Sequence, residues 1–406
     1  MSTETTYRSC AQVCVPGQAG TEIAFDTSSS LVFPGFTDVH VHFREPGFSY
    51  KETIATGSAA AAHGGYTSVC AMPNLEPVPD SPEHLSEEEN AIRKGARVRV
   101  YPYGAITVGE NGEKLSEMEA LAPRVIAFSD DGRGVQSDEV MYAAMKEAKR
   151  LGKIIAAHCE DTALLGGGWI HAGSYAAAHG IPGIPSECES RQLARDLRLA
   201  AASGCAYHAC HISCAESVAL IREAKRAGLD VSCETAPHYL LLDDGMLRDD
   251  GAYRMNPPLR SRRDREALLE AVADGTVDMI ATDHAPHTAS EKAGGLRGAK
   301  MGIVGLETAF PLLYTHLVCR GALTLETLAV RMSAAPARRF GIPRQKDICV
   351  WDDGDEYAID PGAFVSMGRS TPFSGWRVRG RCLLTVCGGK IVYDAGVLPR
   401  TERRAV

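Results

Sequence analysis

The chain has 406 residues, of which 45% are hydrophobic and 23% are charged, and its formal net charge is −8. This length exceeds the roughly 250–300 residues that one hydrophobic core usually serves, so it fits either a large α/β barrel with a small appendage or two ordinary domains. The acidic balance argues against a nucleic-acid or anionic-membrane surface, and neither a signal-peptide pattern nor an apolar run of about 18 residues is present.

Residues 1–33 lack strong periodicity and are expected to supply two strands at most. The next stretch, PGFTDVHVHFREPG at 34–47, places His40 and His42 two residues apart within an apolar alternation. Side chains at i and i+2 of a strand point the same way, so both imidazoles could bind one metal ion. Arg44 follows, where a fixed cation could hold a substrate carboxylate. Taken alone, the two histidines would equally suit the wet face of a strand.

Strand-like and helix-like segments then alternate through residues 36–340, which predicts repeated βα units and a parallel sheet. Roughly eight such units indicate an α/β fold of the TIM type, a (β/α)8 barrel whose active site lies at the C-terminal ends of the strands. A doubly wound open sheet is the alternative, but no GxGxxG follows the early strands. The tail from 347 to 400 contains two strand-like runs joined by Gly388-Gly389, which predicts a small β unit with a hairpin.

The 13 cysteines are scattered through apolar stretches, which indicates reduced thiols in a cytoplasmic protein rather than a disulfide framework. Residues 205–214 read CAYHACHISC and could form a zinc site. No CxxC pair occurs there, so buried, inert cysteines are the favoured interpretation.

Polar residues with metal-ligand chemistry recur at the predicted strand ends, namely His40, His42, Asp131, His158, His211 and Asp283. Four imidazoles and two carboxylates suit two zinc-like ions that share a bridging carboxylate and a hydroxide. Asp283 opens the run TDHAPH, and a carboxylate at such a site can move a proton from the attacking water.

Several stretches together resemble the dihydroorotases of the bacterial type I group, within the amidohydrolase superfamily. The resemblance covers most of residues 34–340 and rests on PGFTDVHVHFREPG (34–47), FSDDGRGVQS (128–137), AHCED (157–161), CHIS (210–213), TAPHYLLL (235–242), MNPPLR (255–260) and ATDHAPH (281–287). It implies the reversible cyclisation of N-carbamoyl-L-aspartate to L-dihydroorotate and water, a step of de novo pyrimidine (UMP) biosynthesis.

The resemblance also implies a role for each matching position. One Zn²⁺ would be held by His40, His42 and Asp283, a second by His158 and His211, and Asp131 would bridge them. Asp283 would be the catalytic proton shuttle between a zinc-bridging hydroxide and the leaving amide nitrogen. Many relatives bridge their metals with a carboxylated lysine, but no lysine lies between Arg124 and Lys146, so none is expected here.

The resemblance also includes parts of the tail and the stretches YKETIATGSAAAAHGGYTSVCAMPN (50–74) and GIVGLETAFPLLYT (302–315), and the substrate-binding positions follow from it. Arg44, Asn74 and His287 would bind the substrate carboxylate, and Asn256 would contact the ring amide region. The remaining histidines that match no ligand position are expected to be structural or on the surface, namely His63, His84, His171, His179, His208 and His316.

The N-terminal segment before His40 is shorter than such relatives have, so we expect a reduced β-sandwich appendage from residues 1–35 and 341–406 beside a barrel at 36–340. The resemblance further implies a cytoplasmic homodimer that acts on a small molecule, could associate with aspartate carbamoyltransferase, and binds neither nucleic acid nor membrane. Two alternatives are a hydantoinase or allantoinase on the same barrel, and a non-catalytic barrel that serves as a scaffold.

Overall fold

The structure is a computed structural model, and it describes residues 12–16, 22–26, 30–344 and 346–398. Strands and helices alternate along the chain, as the sequence predicts. The parallel strands are Phe36–Val41, Tyr66–Ala71, Arg99–Pro102, Gly104–Ala105, Phe128–Ser129, Ile155–Ala157, Tyr207–Ala209, Val231–Thr235 and Met279–Ile280. Within the described ranges, no helix is both long and apolar enough to cross a membrane.

The helices begin and end at residues whose chemistry favours those ends. Asp138–Leu151 starts at Ser137, whose hydroxyl accepts the N–H of Val140, and stops at Gly152, whose φ of +66° is open to glycine. Its buried residues are spaced three or four apart, as one face of a helix requires, and they are Met141, Ala144, Met145 and Ala148. The other helices are Ile54–His63, Pro82–Gly95, Met118–Leu121, Ser174–His179, Glu187–Ser203, Ala215–Arg226, Pro237–Leu241, Arg262–Asp274, Ala289–Lys292, Gly295–Gly298, Ala309–Leu313, Leu325–Ala329 and Ala335–Arg339.

The parallel strands follow one another in chain order. Phe36–Val41 pairs with Tyr66–Ala71, which pairs with Arg99–Pro102. The chain continues through Tyr103 into the six-stranded sheet that ends at Met279–Ile280. A parallel bridge joins Val41 to His284, and the N–H of His42 donates to the carbonyl of His284 at 2.8 Å. The chain segments that carry the first and the last predicted metal ligands therefore lie side by side.

Small and apolar side chains from these strands pack in one cluster that also contains Phe340. Its members are Val39, Cys70, Met72, Tyr103, Ala127, Ala156, Cys210, Met279, Ala281, Ala337 and Ile342, all buried. Because alternate residues of a strand face opposite sides, the other side of each strand packs against the helices. A larger hydrophobic core forms on that outer side of the strands, and Tyr66 and Tyr207 belong to it.

The two ends of the chain share a second, antiparallel sheet. Ser30–Pro34 pairs with Ile348–Asp352, and Arg381–Cys387 and Lys390–Asp394 complete four strands. The predicted hairpin at Gly388-Gly389 is confirmed. The expectation of at most two strands before residue 34 is wrong, because Gln12–Pro16, Glu22–Asp26 and Ser30–Pro34 are all strands. Ser30–Pro34 pairs with a strand more than 300 residues away, a contact that local periodicity cannot report.

Candidate metal centre and substrate pocket

The two histidines of the HVH run lie together at the end of strand Phe36–Val41. His40 is fully buried and His42 is 4% exposed. Asp131 faces both of them with different oxygens: Oδ1 lies 3.4 Å from His40 Nε2, and Oδ2 lies 3.4 Å from His42 Nε2. A single carboxylate therefore spans the pair.

His158 and His211 approach the same oxygen of this carboxylate as His40 does. Each follows a short parallel strand, Ile155–Ala157 and Tyr207–Ala209 respectively. His158 Nδ1 lies 3.7 Å from Asp131 Oδ1 and His211 Nε2 lies 3.6 Å from it. The two rings are themselves 3.0 Å apart at His158 Nδ1 and His211 Nε2.

Asp283 completes the group beyond the strand Met279–Ile280. Its Oδ1 lies 3.2 Å from His42 Nε2 and 3.8 Å from His40 Nε2. Asp283 and His211 have φ values of +48° and +30°, a region that non-glycine residues seldom occupy and that recurs at functional sites. The structure thus brings all six predicted ligands together.

The donor atoms fit divalent metal ions. His40 Nε2 and Asp131 Oδ1 are buried and make no hydrogen bond, which is rare for buried polar atoms and calls for an explanation such as an ion. Ligands of one tetrahedral zinc ion, each about 2.0–2.1 Å from it, lie roughly 3.3 Å apart. Among the groups of three ligand-type residues whose donor atoms lie within 4.8 Å of one another are His40–Asp131–His211 and His40–His42–Asp283. They share His40, and Asp131 contacts members of both.

The carboxylates of the centre are held in their charged forms. Burial alone would raise the pKa of Asp131, but the imidazoles of His40, His211 and His42 around it hold that pKa well below its usual range. Burial also opposes ionisation of Asp283, yet a hydrogen bond from His42 and the charges of His40 and His211 lower its pKa to about 2. Both groups are therefore anionic at neutral pH.

A cavity of about 210 Å³ opens beside this group. Its lining contains nearly all of the predicted site residues and no lysine: His42, Arg44, Asn74, Asp131, Gly132, His158, His211, Asn256, Asp283, Ala285, His287, Met301 and Gly302. Arg44 is 8% exposed, and its Nε makes no hydrogen bond. A buried guanidinium with an unused donor suits an anionic ligand.

Asn74 and Asn256 also hold the centre itself. Asn74 Oδ1 accepts from His42 Nδ1 at 2.8 Å, which leaves His42 Nε2 directed at the two aspartates. Asn256 Nδ2 donates to Glu160 Oε1 at 2.8 Å and lies 3.3 Å from His158 Nε2. Glu160, in the run AHCED, was not predicted.

His287 lines the cavity, and an oxygen atom lies near each of its ring nitrogens. Its Nε2 donates to the Met301 carbonyl at 2.8 Å, and Nδ1 lies 3.3 Å from Glu291 Oε2. Burial and the charges of Arg44 and Lys51 lower the pKa of His287 to about 4, so the ring is neutral at physiological pH. It can contact a substrate carboxylate only after it releases one of these partners.

No sequence motif singles out Glu234, a fully buried carboxylate 2.7 Å from His40 Nδ1. The one available signal was an acidic residue inside the strand VSCET, all of which is buried.

The cysteines near residue 210 behave as buried, inert groups. Cys205, Cys210 and Cys214 are buried and unpaired. Cys210 belongs to a metal-sized group with His40 and Glu234, but burial raises its pKa to about 12, so it remains a thiol. In the described part of the chain, no metal-sized group contains two of these cysteines.

Comparison with known proteins adds independent information. A family described as "Dihydro-orotase-like" matches residues 29–217. The chain is 51% identical over 390 residues to the dihydroorotase of Geobacillus kaustophilus, covering 94% of this chain and 91% of that protein. It is likewise 51% identical over 384 residues to that of Bacillus caldolyticus, covering 92% and 90%.

Solved structures with a similar fold include hydantoinases. The L-hydantoinase of Arthrobacter aurescens aligns with a TM-score of 0.81 at 25% identity, covering 94% of each chain. The D-hydantoinase of a Thermus species aligns with a TM-score of 0.79 at 26% identity, covering 91% of this chain and 86% of that one.

Proposed function

Because the chain belongs to the dihydroorotase family, we propose that it interconverts N-carbamoyl-L-aspartate and L-dihydroorotate plus water. Relatives of that name share about half of the residues over nearly the whole chain. The structural observation that carries the proposal is that Arg44, whose buried Nε has no hydrogen-bond partner, lines the cavity beside six metal-type ligands. L-Dihydroorotate carries both a carboxylate for that cation and a cyclic amide to be hydrolysed.

The proposed scaffold is a closed (β/α)8 barrel at residues 36–340 with a reduced β-sandwich appendage from residues 1–35 and 341–406. Support for closure comes from the bridge between Val41 and His284 and from the apolar cluster, whose members lie in or next to most of the parallel strands. Support for the appendage comes from the sheet that pairs Ser30–Pro34 with Ile348–Asp352. In such a barrel the strand ends bring distant residues to one rim.

The proposed centre takes two divalent ions, with zinc the ion that its donor set suits. His40, His42 and Asp283 would hold one ion, His158 and His211 the other, and Asp131 would bridge them without a carboxylated lysine. Bound there, two such ions would polarise a carbonyl and favour ionisation of water at neutral pH.

The chain's own residues supply orientation and proton transfer. Asp283 is anionic and lies at the edge of the cavity, so it can accept the proton of the attacking water. In hydrolysis the ring C–N bond breaks, and Asp283 returns that proton to the leaving nitrogen. Cyclisation uses the same group in the opposite order.

The substrate carboxylate would lie against Arg44 and the free amide N–H groups of Asn74. His287 would join them if its ring releases the Met301 carbonyl. Asn256 would face the ring amide region from the side of His158. These contacts orient the acid so that one carbonyl faces the reacting centre.

Four further points remain predictions: the place of this reaction in de novo pyrimidine synthesis, a homodimeric state, association with aspartate carbamoyltransferase and cytoplasmic localisation.

The direct test of the proposed reaction is to follow the ultraviolet absorbance of L-dihydroorotate incubated with the purified protein, with dihydrouracil measured alongside. We expect rapid loss of dihydroorotate and at least about 100-fold slower use of dihydrouracil, because a site built for a polar group discriminates strongly against its absence. Equal rates with dihydroorotate and dihydrouracil would favour a hydantoinase. Hydrolysis of dihydrouracil without hydrolysis of dihydroorotate would favour it as well.

A further inference from the structure

A small group of polar side chains lies buried on the strands that lead to the predicted metal ligands. Strand alternation places His208, Ser232 and Glu234 on the side opposite Tyr207 and Cys233, which belong to the outer core. His208 and Glu234 are fully buried and Ser232 is 3% exposed. The ring of His208 packs 5.2 Å from that of Phe340, a member of the interior cluster. Burying such groups is unfavourable unless their hydrogen bonds are satisfied.

These three side chains form a continuous hydrogen-bonded chain that ends on a predicted metal ligand. Glu234 Oε1 lies 2.7 Å from His40 Nδ1, and Oε2 lies 3.0 Å from His208 Nε2. His208 Nδ1 lies 2.8 Å from Ser232 Oγ. An ionised Glu234 accepts from both imidazoles, and the Ser232 hydroxyl donates to the remaining nitrogen of His208, so every member is satisfied. His40 then carries its proton on Nδ1 and presents a bare Nε2 to Asp131.

Glu234 also contacts the other half of the centre. Its Oε1 accepts the backbone N–H of His211 at 3.2 Å. His211 lies at φ +30°, so this bond restrains the backbone at a conformation that a non-glycine residue rarely adopts. Glu234 therefore touches one predicted ligand of each ion: the side chain of His40 and the main chain of His211.

We propose that Glu234 is a positioning residue for both halves of the metal centre, and that His208 and Ser232 hold it in place. The inference rests on the metal centre of the proposed function. Partners of this kind fix the tautomer and orientation of a ligating histidine, and their loss usually weakens metal binding by about 10–100-fold.

Two substitutions separate the charge of Glu234 from its contacts. Glu234→Gln keeps an acceptor for His40 and His211, and its amide can face His208 if that ring adopts the other tautomer, so mainly the charge is lost. Glu234→Leu loses every contact. We expect metal affinity to fall about tenfold in Glu234→Gln and about 100-fold, with loss of at least one ion, in Glu234→Leu.

The matched control is Asp196→Asn. Asp196 is as buried as Glu234. It accepts a hydrogen bond at 3.1 Å from the hydroxyl of Tyr207, which lies on the same strand as His208, and it accepts another from Arg195 Nε. It touches none of the six predicted ligands. Its substitution can lower the melting temperature but should leave metal affinity within about twofold of the unmodified chain.

The experiment loads each protein with Zn²⁺ or Co²⁺, measures both dissociation constants by competition with a chelator, and records the cobalt absorption bands, which report ligand geometry. Altered bands and weaker binding in the Glu234 variants, but not in Asp196→Asn, would support the inference. Unchanged affinity and bands in the Glu234 variants would overturn it, and so would an equal loss in Asp196→Asn.

If the Glu234 variants do not fold, His208→Leu and His208→Gln decide the matter. Glutamine keeps a donor for Glu234 Oε2 and leucine does not, so metal affinity should fall in the leucine variant and recover in the glutamine variant. Equal affinities in the two would overturn the inference. Failure of the unmodified chain to bind any divalent ion would instead refute the metal centre of the proposed function.

Discussion

Replacing Arg44 by methionine should remove the preference for a carboxylated substrate. Arg44 is 8% exposed and its Nε is unpartnered in the cavity, so a bound carboxylate would gain a charge-assisted pair that methionine cannot provide. Hydrogen bonds to charged groups contribute about 1.5–3 kcal/mol each, and roughly 1.4 kcal/mol corresponds to a tenfold change. The loss of a bidentate contact should therefore lower kcat/KM for dihydroorotate by at least about 100-fold.

The same substitution should leave the metal ions in place. Burial and then the charge of Arg44 lower the pKa of His42, because the cation disfavours further positive charge there. Removing Arg44 relieves that repulsion, so divalent ions should bind at least as tightly. The backbone φ at position 44 is +62°, which is equally unfavourable for methionine and for arginine. The variant and the unmodified chain should therefore be comparably stable.

Steady-state kinetics with dihydroorotate and dihydrouracil, together with metal analysis, test this prediction. Arg44→Lys is the matched control, since it keeps the charge but loses the planar fork, and its loss of kcat/KM for dihydroorotate should be smaller. The reasoning would be refuted if Arg44→Met retained its preference for dihydroorotate with both ions bound. A variant that lost its ions would assign Arg44 to the metal centre rather than to the substrate.

Three further predictions concern the centre and its surroundings. Asp131→Ala should lose at least one metal ion and nearly all activity, as measured by elemental analysis and the dihydroorotate assay; two tightly held ions would exclude the bridging role. Asp283→Asn keeps the shape but removes the base, so kcat should fall about 10²–10⁴-fold, and near-normal turnover would rule out the shuttle. Burial lowers the pKa of His238 to about 4, below the ordinary value near 6.5. On acidification, His238 is therefore protonated in the unfolded chain before it is protonated in the folded chain. The free energy of unfolding, which has its full value above pH 6.5, should fall by roughly 3 kcal/mol towards pH 4. His238→Asn should lose less stability than the unmodified chain on acidification, and parallel melting curves would contradict this.

The six predicted ligands could be chosen from the sequence because the carboxyl ends of parallel strands lie at one edge of a sheet. The spacing of His40 and His42 places both imidazoles on one face without any knowledge of the fold. Asp131, His158, His211 and Asp283 each follow a short predicted strand, so a parallel arrangement brings them together although they are far apart in the chain. In the structure all four lie within 3.8 Å of another predicted ligand.

What the sequence does not predict depends on contacts between strands. Glu234 and His208 are two polar residues in separate buried strands, and only the pairing of His208 with Ser232 brings them beside each other and beneath His40. His287 was expected to bind the substrate, but its engagement by Met301 and Glu291 depends on a loop geometry that no motif encodes.

The measurement that tests the central claim most directly is a zinc titration of the purified chain after removal of metal by a chelator. Each addition would be followed by the ultraviolet assay for dihydroorotate hydrolysis. If the chain is a dihydroorotase whose metal centre consists of the four histidines with Asp131 and Asp283, activity should be negligible at the start. It should reach its full value at about two zinc ions per chain. Full hydrolysis of dihydroorotate by the metal-free chain, or none after two ions had bound, would contradict the account.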